Sequence, residues 1–359
     1  MCLQTNAPAI FRRGGGPLLT PKDVKPSRPD FKVDGIFNCG AVRVRGETIL
    51  LCRVAESVRT ESEGIVGIPL AAGEAEGFRI VRLVKAEHPE LDFSDTRNVR
   101  YQSGSTAYLT SLSHLRVARS ADGEHFTVDD HPAILPQAEY ESWGMEDPRI
   151  TELDGVYYIN YTAVSENGAA TALLSTTDFT RFKRHGLIFL PENKDVAIFP
   201  EKIGNQYLAF SRPTPGGIGS PGMWLSTSDD LLHWGGHRHF YSGVADDWEG
   251  GKVGGGAPPI KTERGFVKIY HAVSRENRYC LGAMLLDATD PSKILAKSPR
   301  PLLQPDEPYE QQGFFGNVVF SCGCILEGGI FQIYYGAADD KICRADITAD
   351  ALFTHLGLD

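Results

Sequence analysis

No apolar run in this 359-residue chain approaches the roughly 18 residues that a membrane-crossing helix needs, so no membrane span is expected. The opening Met1-Cys2-Leu3-Gln4-Thr5-Asn6 has no basic-then-apolar leader pattern, and the expected location is the cytoplasm. Basic charge is also short. Lys and Arg number 36 against 46 Asp and Glu, a formal net charge of -10, which argues against a nucleic-acid partner because phosphate backbones demand a basic face. A small anion needs only a local group of cations and stays open. Cysteines are few and unpatterned: Cys2, Cys39, Cys52, Cys280, Cys322, Cys324 and Cys343. Cys322 and Cys324 lie two apart, but no second pair completes a zinc site, so no metal is expected and the thiols read as reduced core residues. Long amphipathic helical stretches are scarce too.

What remains is an ordinary globular composition, 42% hydrophobic and 23% charged, written mostly in strands. Residues 1–30 are rich in Gly and Pro and read as an arm lying on a single domain that spans 31–359. Val42-Arg43-Val44-Arg45, a turn at Gly46-Glu47 and the run from Thr48 to Val54 form a hairpin pattern. The pattern returns with turns at Asp154-Gly155, Gly204-Asn205, Arg264-Gly265 and Gly328-Gly329. A second signature, a strand end followed by a Ser/Asp turn and an aromatic, recurs at Ser120-Ala121-Asp122, Thr176-Thr177-Asp178 and Ser228-Asp229-Asp230. Repeated strand units without helices favour a β-propeller over a solenoid or sandwich, and five hairpins suggest five blades.

Inner strands of such a fold converge, so polar residues near the hairpins are the candidates for chemistry: Asn38, Arg53, Asp147, Arg149, Glu201, Arg212, His271 and Asp339. Lys194 precedes the third hairpin, and Arg59, Asp95 and Arg97 lie in the long excursion between Val54 and Glu146. Asp147 and Arg149 stand two apart. On a regular strand they would share one face, and the guanidinium would oppose the raised pKa that a general acid needs unless an anion neutralised it. Arg149, Lys194 and His271 together would suit a dianion such as phosphate. The aromatics Trp143, Tyr270, Tyr309, Phe314 and Phe315 read either as core or as platforms for the apolar faces of sugars.

These residues carry a resemblance. The chain resembles glycoside hydrolase family 130, β-mannoside phosphorylases and β-mannosidases built as five-bladed β-propellers. The matching segments include Phe37-Asn38-Cys39-Gly40, Leu51-Cys52-Arg53-Val54-Ala55-Glu56, Ser113-His114-Leu115-Arg116, Glu146-Asp147-Pro148-Arg149, Lys194-Asp195-Val196-Ala197, Phe210-Ser211-Arg212-Pro213, Gly254-Gly255-Gly256-Ala257, Ile269-Tyr270-His271 and Tyr334-Tyr335-Gly336-Ala337-Ala338-Asp339. The match runs from about residue 16 onward. It departs at Cys39 and Cys52, where packing alone should feel the change.

The resemblance implies that Asp147 is the sole catalytic acid. Inorganic phosphate is the expected co-substrate, no other cofactor is required, and the product is α-mannose 1-phosphate, formed with inversion. The acid's proton would pass through the mannose 3-hydroxyl. Arg149, Lys194 and His271 match positions associated with phosphate, with Tyr270 adding a hydroxyl. Asn38, Arg53, Arg212 and Asp339 match positions lining the mannose subsite, and Arg59, Asp95, Arg97 and Glu201 are counted with the substrate-binding candidates. The expected partner is a β-1,2- or β-1,4-manno-oligosaccharide. A homo-oligomer is compatible with this, a partner subunit then completing the acceptor side. Two alternatives stand beside the phosphorylase: an inverting β-mannosidase with Glu201 as base, and a sugar-binding propeller without catalysis. The 54–146 excursion and the loop Thr214–Ser220 are expected to choose the departing sugar.

Overall fold

Each of the five turn signals sits between paired antiparallel strands. Phe31–Val44 pairs with Glu47–Val58, Gly144–Leu153 with Val156–Ser165, Asn193–Ile198 with Tyr207–Pro213, Ile260–Thr262 with Gly265–Val273, and Val319–Glu327 with Ile330–Ala337. The computed structural model from which this is read describes residues 10–60, 62–73, 77–215, 218–245 and 247–358. Cys2 and the opening six residues lie outside the described residues, as do Gly216 and Gly217 of the loop expected to choose the departing sugar.

The chain is all-β, with short helices at Pro308–Gln311 and Ala349–His355. Every hairpin gains a third strand: Ser111–Ser120, Gly168–Thr176, Met223–Ser228, Tyr279–Leu286 and Lys341–Thr348. In the fourth unit Lys252–Gly255 is a further strand against Gly265–Val273. The units meet in sequence order. Phe31–Val44 lies against Gly144–Leu153, which lies against Asn193–Ile198, which lies against Lys252–Gly255. The fourth unit meets Val319–Glu327, and that strand returns to Phe31–Val44. Among the described residues no helix is long and apolar enough to cross a membrane.

The recurrent Ser/Asp signature has a local cause. Asp122 Oδ1 accepts the backbone N–H groups of Glu124 and His125 at 2.9 and 2.8 Å, and Asp178 and Asp230 do the same for Thr180 and Arg181 and for Leu232 and His233. An Asp side chain thus closes each turn where the third strand ends.

A buried glutamate precedes the inner strand of three units and accepts a tyrosine hydroxyl. Tyr161 donates to Glu141, Tyr270 to Glu249 and Tyr335 to Glu310. Each carboxylate also takes a cation: Arg184 on Glu141, Lys297 on Glu249, Arg12 on Glu310. Buried charge is tolerated here because it is paired and hydrogen-bonded.

The segment expected to lie on the domain as an arm enters it. Phe11–Arg12 adds a strand to Lys341–Thr348, and Leu19 and Val24 are buried. Arg12 donates Nε and Nη2 to Glu310 at 2.8 and 2.9 Å. Arg12→Ala removes the only cation paired with Glu310 among the described residues. It should lower stability by about 1–3 kcal/mol, read as a fall in the urea midpoint with unchanged slope. An unmoved midpoint would mean that Tyr335 and the backbone donors of Asp306 and Glu307 suffice.

Candidate active site

Three inner strands share one irregularity. The register slips between Phe37 and Gly40, between Glu146 and Arg149, and between Lys194 and Ala197. Inside each slip one polar residue takes a left-handed backbone: Asn38 at φ 48°, Asp147 at 51° and Asp195 at 56°. Two residues there oppose one on the partner strand, which is a β-bulge, and a bulge re-aims a side chain that regular alternation would send elsewhere.

The bulge corrects the expectation that Asp147 and Arg149 pair across one face. The Asp147 carboxylate is turned to the first unit. Its Oδ1 accepts Asn38 Nδ2 and Arg53 Nη1, both at 3.0 Å. Arg149 is buried, and it touches Asp147 only at the backbone carbonyl, 3.1 Å from Nη1. Its other bonds run to the carbonyls of Gly255 and Gly256, each at 2.8 Å, and to Asp195 Oδ1 at 3.1 Å.

Asp195 is the second focus. Oδ2 accepts Arg212 Nε at 2.5 Å, and His271 Nε2 lies 3.4 Å away. Burial opposes the charge of Asp195, but Arg212, His271 and Arg149 outweigh it and hold the carboxyl well below its ordinary range. Burial lowers the pKa of His271 in spite of Asp195. Its ring packs on Phe320 at 4.4 Å. The Gly254-Gly255-Gly256 run is needed for close approach: a Cβ on Gly254 would sit 2.5 Å from both Asp195 Oδ2 and the His271 ring.

Glu146 joins the two foci. It takes Arg53 Nη2 at 2.8 Å on one oxygen and Lys194 Nζ at 3.4 Å on the other. Burial would raise its pKa, but Arg53 and Lys194 prevail and lower it. Glu146 in turn, against the penalty of burial, raises the pKa of Lys194. Arg53 is held charged in the same way. Burial works against it, and Glu146, Asp147 and Asp339 overcome that. Arg53 also donates Nε to Ser113 Oγ at 3.0 Å and lies 4.6 Å over the Phe37 ring.

A cavity of about 200 Å³ opens on this group, lined in part by Phe37, Arg53, Arg97, Glu146, Phe314 and Asp339. Asp339 is raised to about 7, by burial first and then by Asp147 and Glu146, with Arg53 and Arg97 opposing.

The structure therefore gathers Asn38, Arg53, Asp147, Arg149, Lys194, Arg212, His271, Asp339 and Arg97 around two linked carboxylates. Other expected residues lie apart. Tyr270 projects from the strand face opposite His271, as alternation requires, and its hydroxyl is spent on Glu249. Glu201 pairs with Lys261 at the surface, at 2.6 Å. Arg59 is exposed and donates to the Phe31 carbonyl at 2.8 Å. Asp95 is bonded to Arg97 and Asn98, and the Arg97 bond leads in lowering it to about 2. Among the aromatics, Phe315 lies under Arg97 at 4.6 Å, while Trp143 and Tyr309 pack on core clusters.

Sequence reading missed Glu146, Ser113, Tyr279 and Lys252. Lys252 is half-buried 5.0 Å over the Tyr279 ring. Burial, Arg212 and Lys194 together lower its pKa, against Asp195 and Asp339. Among the described residues no carboxylate pairs with it. Its position just ahead of the glycine run was the available signal.

Comparisons with known proteins agree on one kinship. A family model for glycoside hydrolase family 130, described as beta-1,4-mannooligosaccharide phosphorylase, matches residues 100–356. The chain is 43% identical over 349 residues to a beta-1,2-mannobiose phosphorylase of Listeria innocua, covering 97% of this chain and 98% of that protein. It is 38% identical over 234 residues to a 1,2-beta-oligomannan phosphorylase of Thermoanaerobacter, covering 64% and 77%. The solved Listeria innocua beta-1,2-mannobiose phosphorylase in complex with beta-1,2-mannobiose superposes with a TM-score of 0.93 at 42% identity, over 98% of this chain and all of that one.

Asp339 generates a pH prediction. Its folded pKa, about 7, lies above the ordinary 3.8, so between those values the folded protein keeps a proton that the unfolded chain releases. Its contribution is complete below the lower value and is lost as pH rises to about 7. Asp339→Asn cannot ionise. Its stability relative to wild type should grow from pH 4 to 7 by up to about 4 kcal/mol and then level off, measured by urea unfolding at several pH values. Parallel wild-type and variant profiles would show that Asp339 ionises normally.

Proposed function

The chain belongs to glycoside hydrolase family 130, and we infer that it is an inverting β-mannoside phosphorylase. It transfers a terminal mannosyl unit to inorganic phosphate, giving α-D-mannose 1-phosphate and a sugar one unit shorter. The observation that carries this reading is Lys252, a cation with no carboxylate partner among the described residues, whose charge is opposed by Arg212 and Lys194. Like charges crowded in a buried place call for an anion, and phosphate supplies one.

In this reading Asp147 is the acid. Its bonds from Asn38 and Arg53 both land on Oδ1, which leaves Oδ2 to carry the proton released toward the departing sugar. The glycosidic C–O bond breaks as a phosphate oxygen attacks the anomeric carbon from the opposite side, and the departing oxygen takes the proton, through the mannose 3-hydroxyl as the family resemblance implies. Lys194, Lys252 and Arg212 hold the phosphate, with His271 at its edge. Arg149 acts through Asp195 and the glycine carbonyls, a positioning residue for Arg212. Asn38, Arg53, Asp339 and Arg97 surround the mannosyl unit.

Hydrolysis by inversion asks for a second carboxylate acting as base on a water. Glu201, the candidate for that role, is occupied by Lys261 at the surface. Glu146 and Asp195 have pKa values lowered by their cations, which makes them weak bases. The favoured linkage is β-1,2, because the relative so named aligns along 97% of this chain. The same reading takes the ring of sheet units as a five-bladed β-propeller, one domain fastened by Phe11–Arg12.

Incubation with β-1,2-mannobiose should yield α-mannose 1-phosphate in phosphate buffer and leave the sugar intact without phosphate. Free mannose formed equally fast in phosphate-free buffer would identify a hydrolase instead. Asp147→Asn should lower kcat by roughly 10²- to 10⁴-fold. Lys194→Ala should raise KM for phosphate more than KM for the sugar; equal effects on both would remove Lys194 from the phosphate site.

A further inference from the structure

The cavity lined by Arg53, Glu146 and Asp339 is small for a disaccharide, since pockets for drug-sized ligands commonly span about 300–1,000 Å³ and this one holds about 200 Å³. A second, larger pocket of about 480 Å³ adjoins it. Phe314 lines both, and the Asp95–Arg97 ion pair, 3.1 Å long, stands between them with Asp95 on the outer side and Arg97 on the inner. The outer wall comes from the excursion: Ile65 and Val66 of one hairpin, and Phe93 to Val99 of the next sheet.

We propose that this outer pocket is a distal sugar subsite that receives mannosyl units beyond the first two of a manno-oligosaccharide. The proposal rests on the mannoside reading above and names which mannosides are favoured. Two features of the lining select a neutral polyhydroxylated ligand. Its charges balance, Lys32 and Lys85 against Asp34 and Asp95, so no net field calls for an anion, and Lys32 is already 3.2 Å from Asp34. It also offers an aromatic ring, Phe93, with the Lys85 ammonium 5.8 Å from its centroid. An apolar face beside hydroxyl-binding side chains suits a pyranose, whose C–H groups stack while its hydroxyls bond. The two pockets share Phe314, and neither Asp195 nor Lys252 lines the outer one. An oligosaccharide would therefore lie across the excursion, with its cleaved end at Asp147.

The test compares kcat/KM for β-1,2-mannobiose and β-1,2-mannotetraose in saturating phosphate. Wild type should prefer the longer substrate. Phe93→Ala should lower kcat/KM for the tetraose by roughly fivefold to tenfold and leave the biose within about twofold. Because Phe93 packs partly on its hairpins, a second variant at an exposed position, Thr60→Trp, fills the pocket without touching that packing and should erase the preference likewise. A wild-type ratio unchanged in both variants, or an equal fall on both substrates, overturns the distal subsite alone. A wild-type enzyme that is idle on both sugars overturns the mannoside reading, and the subsite with it.

Discussion

A carboxylate with 3% of its surface exposed cannot stand alone in a protein interior, and the centre of this molecule is organised around satisfying one, Asp195. Its partners come from three sheet units. Arg149 belongs to Gly144–Leu153, Arg212 to the strand beside Asp195 itself, and His271 to Gly265–Val273. Arg149 then reaches on to the backbone of Gly255 and Gly256, so one ion network ties the second, third and fourth units at the point where they meet. The glycine run follows from the same constraint, because any side chain at Gly254 would occupy the space of Asp195 and His271. The cost of burying these charges is offset only if all of them stay, and that fixes Arg149, Arg212 and His271 relative to one another.

The fold was legible wherever the cause is local. Gly- and Asp-bearing turns between alternating runs marked the hairpins, and the Ser/Asp signature marked turns that an aspartate side chain closes on its own backbone. Asp147 and Arg149 were legible as chemistry but misread as a pair. The i, i+2 rule holds on a regular strand, and a bulge intervenes there. Pro148 was the hint available, since a proline cannot donate to the ladder and sits inside sheets mainly at edges and bulges. Asn38 and Asp195 occupy the same kind of bulge without a proline, so nothing near them in sequence announced it.

Tyr270 shows a different kind of miss. It stands beside His271, and adjacency suggested a shared role. In a strand adjacency means opposite faces, and Tyr270 belongs with Tyr161 and Tyr335, whose hydroxyls likewise donate to buried glutamates. The clue lay upstream. An aromatic–glutamate pair precedes each of these inner strands: Tyr140-Glu141, Trp248-Glu249 and Tyr309-Glu310. The mark on Lys252 was weaker, its place just ahead of the glycine run. Its meaning comes from Lys194 and Arg212, which are distant in sequence, and only the closing of the units brings the three together.

That convergence bears on why phosphate, and not water, is the favoured nucleophile. In the central group Arg53, Arg149, Lys194, Arg212 and Lys252 face the carboxyls of Glu146, Asp147, Asp195 and Asp339. In the proposed reaction the acid catalyst begins protonated, and Asp339 is raised to about 7. The site then carries an excess of positive charge within a protein whose net charge is -10. A water molecule would leave that excess uncompensated and would still need a base to take its proton. A phosphate dianion cancels it and needs no base, because its oxygen is already charged. In the proposed reaction the same cations thus remove the requirement for a second catalytic carboxylate, and the expected candidate for that role, Glu201, is engaged at the surface with Lys261.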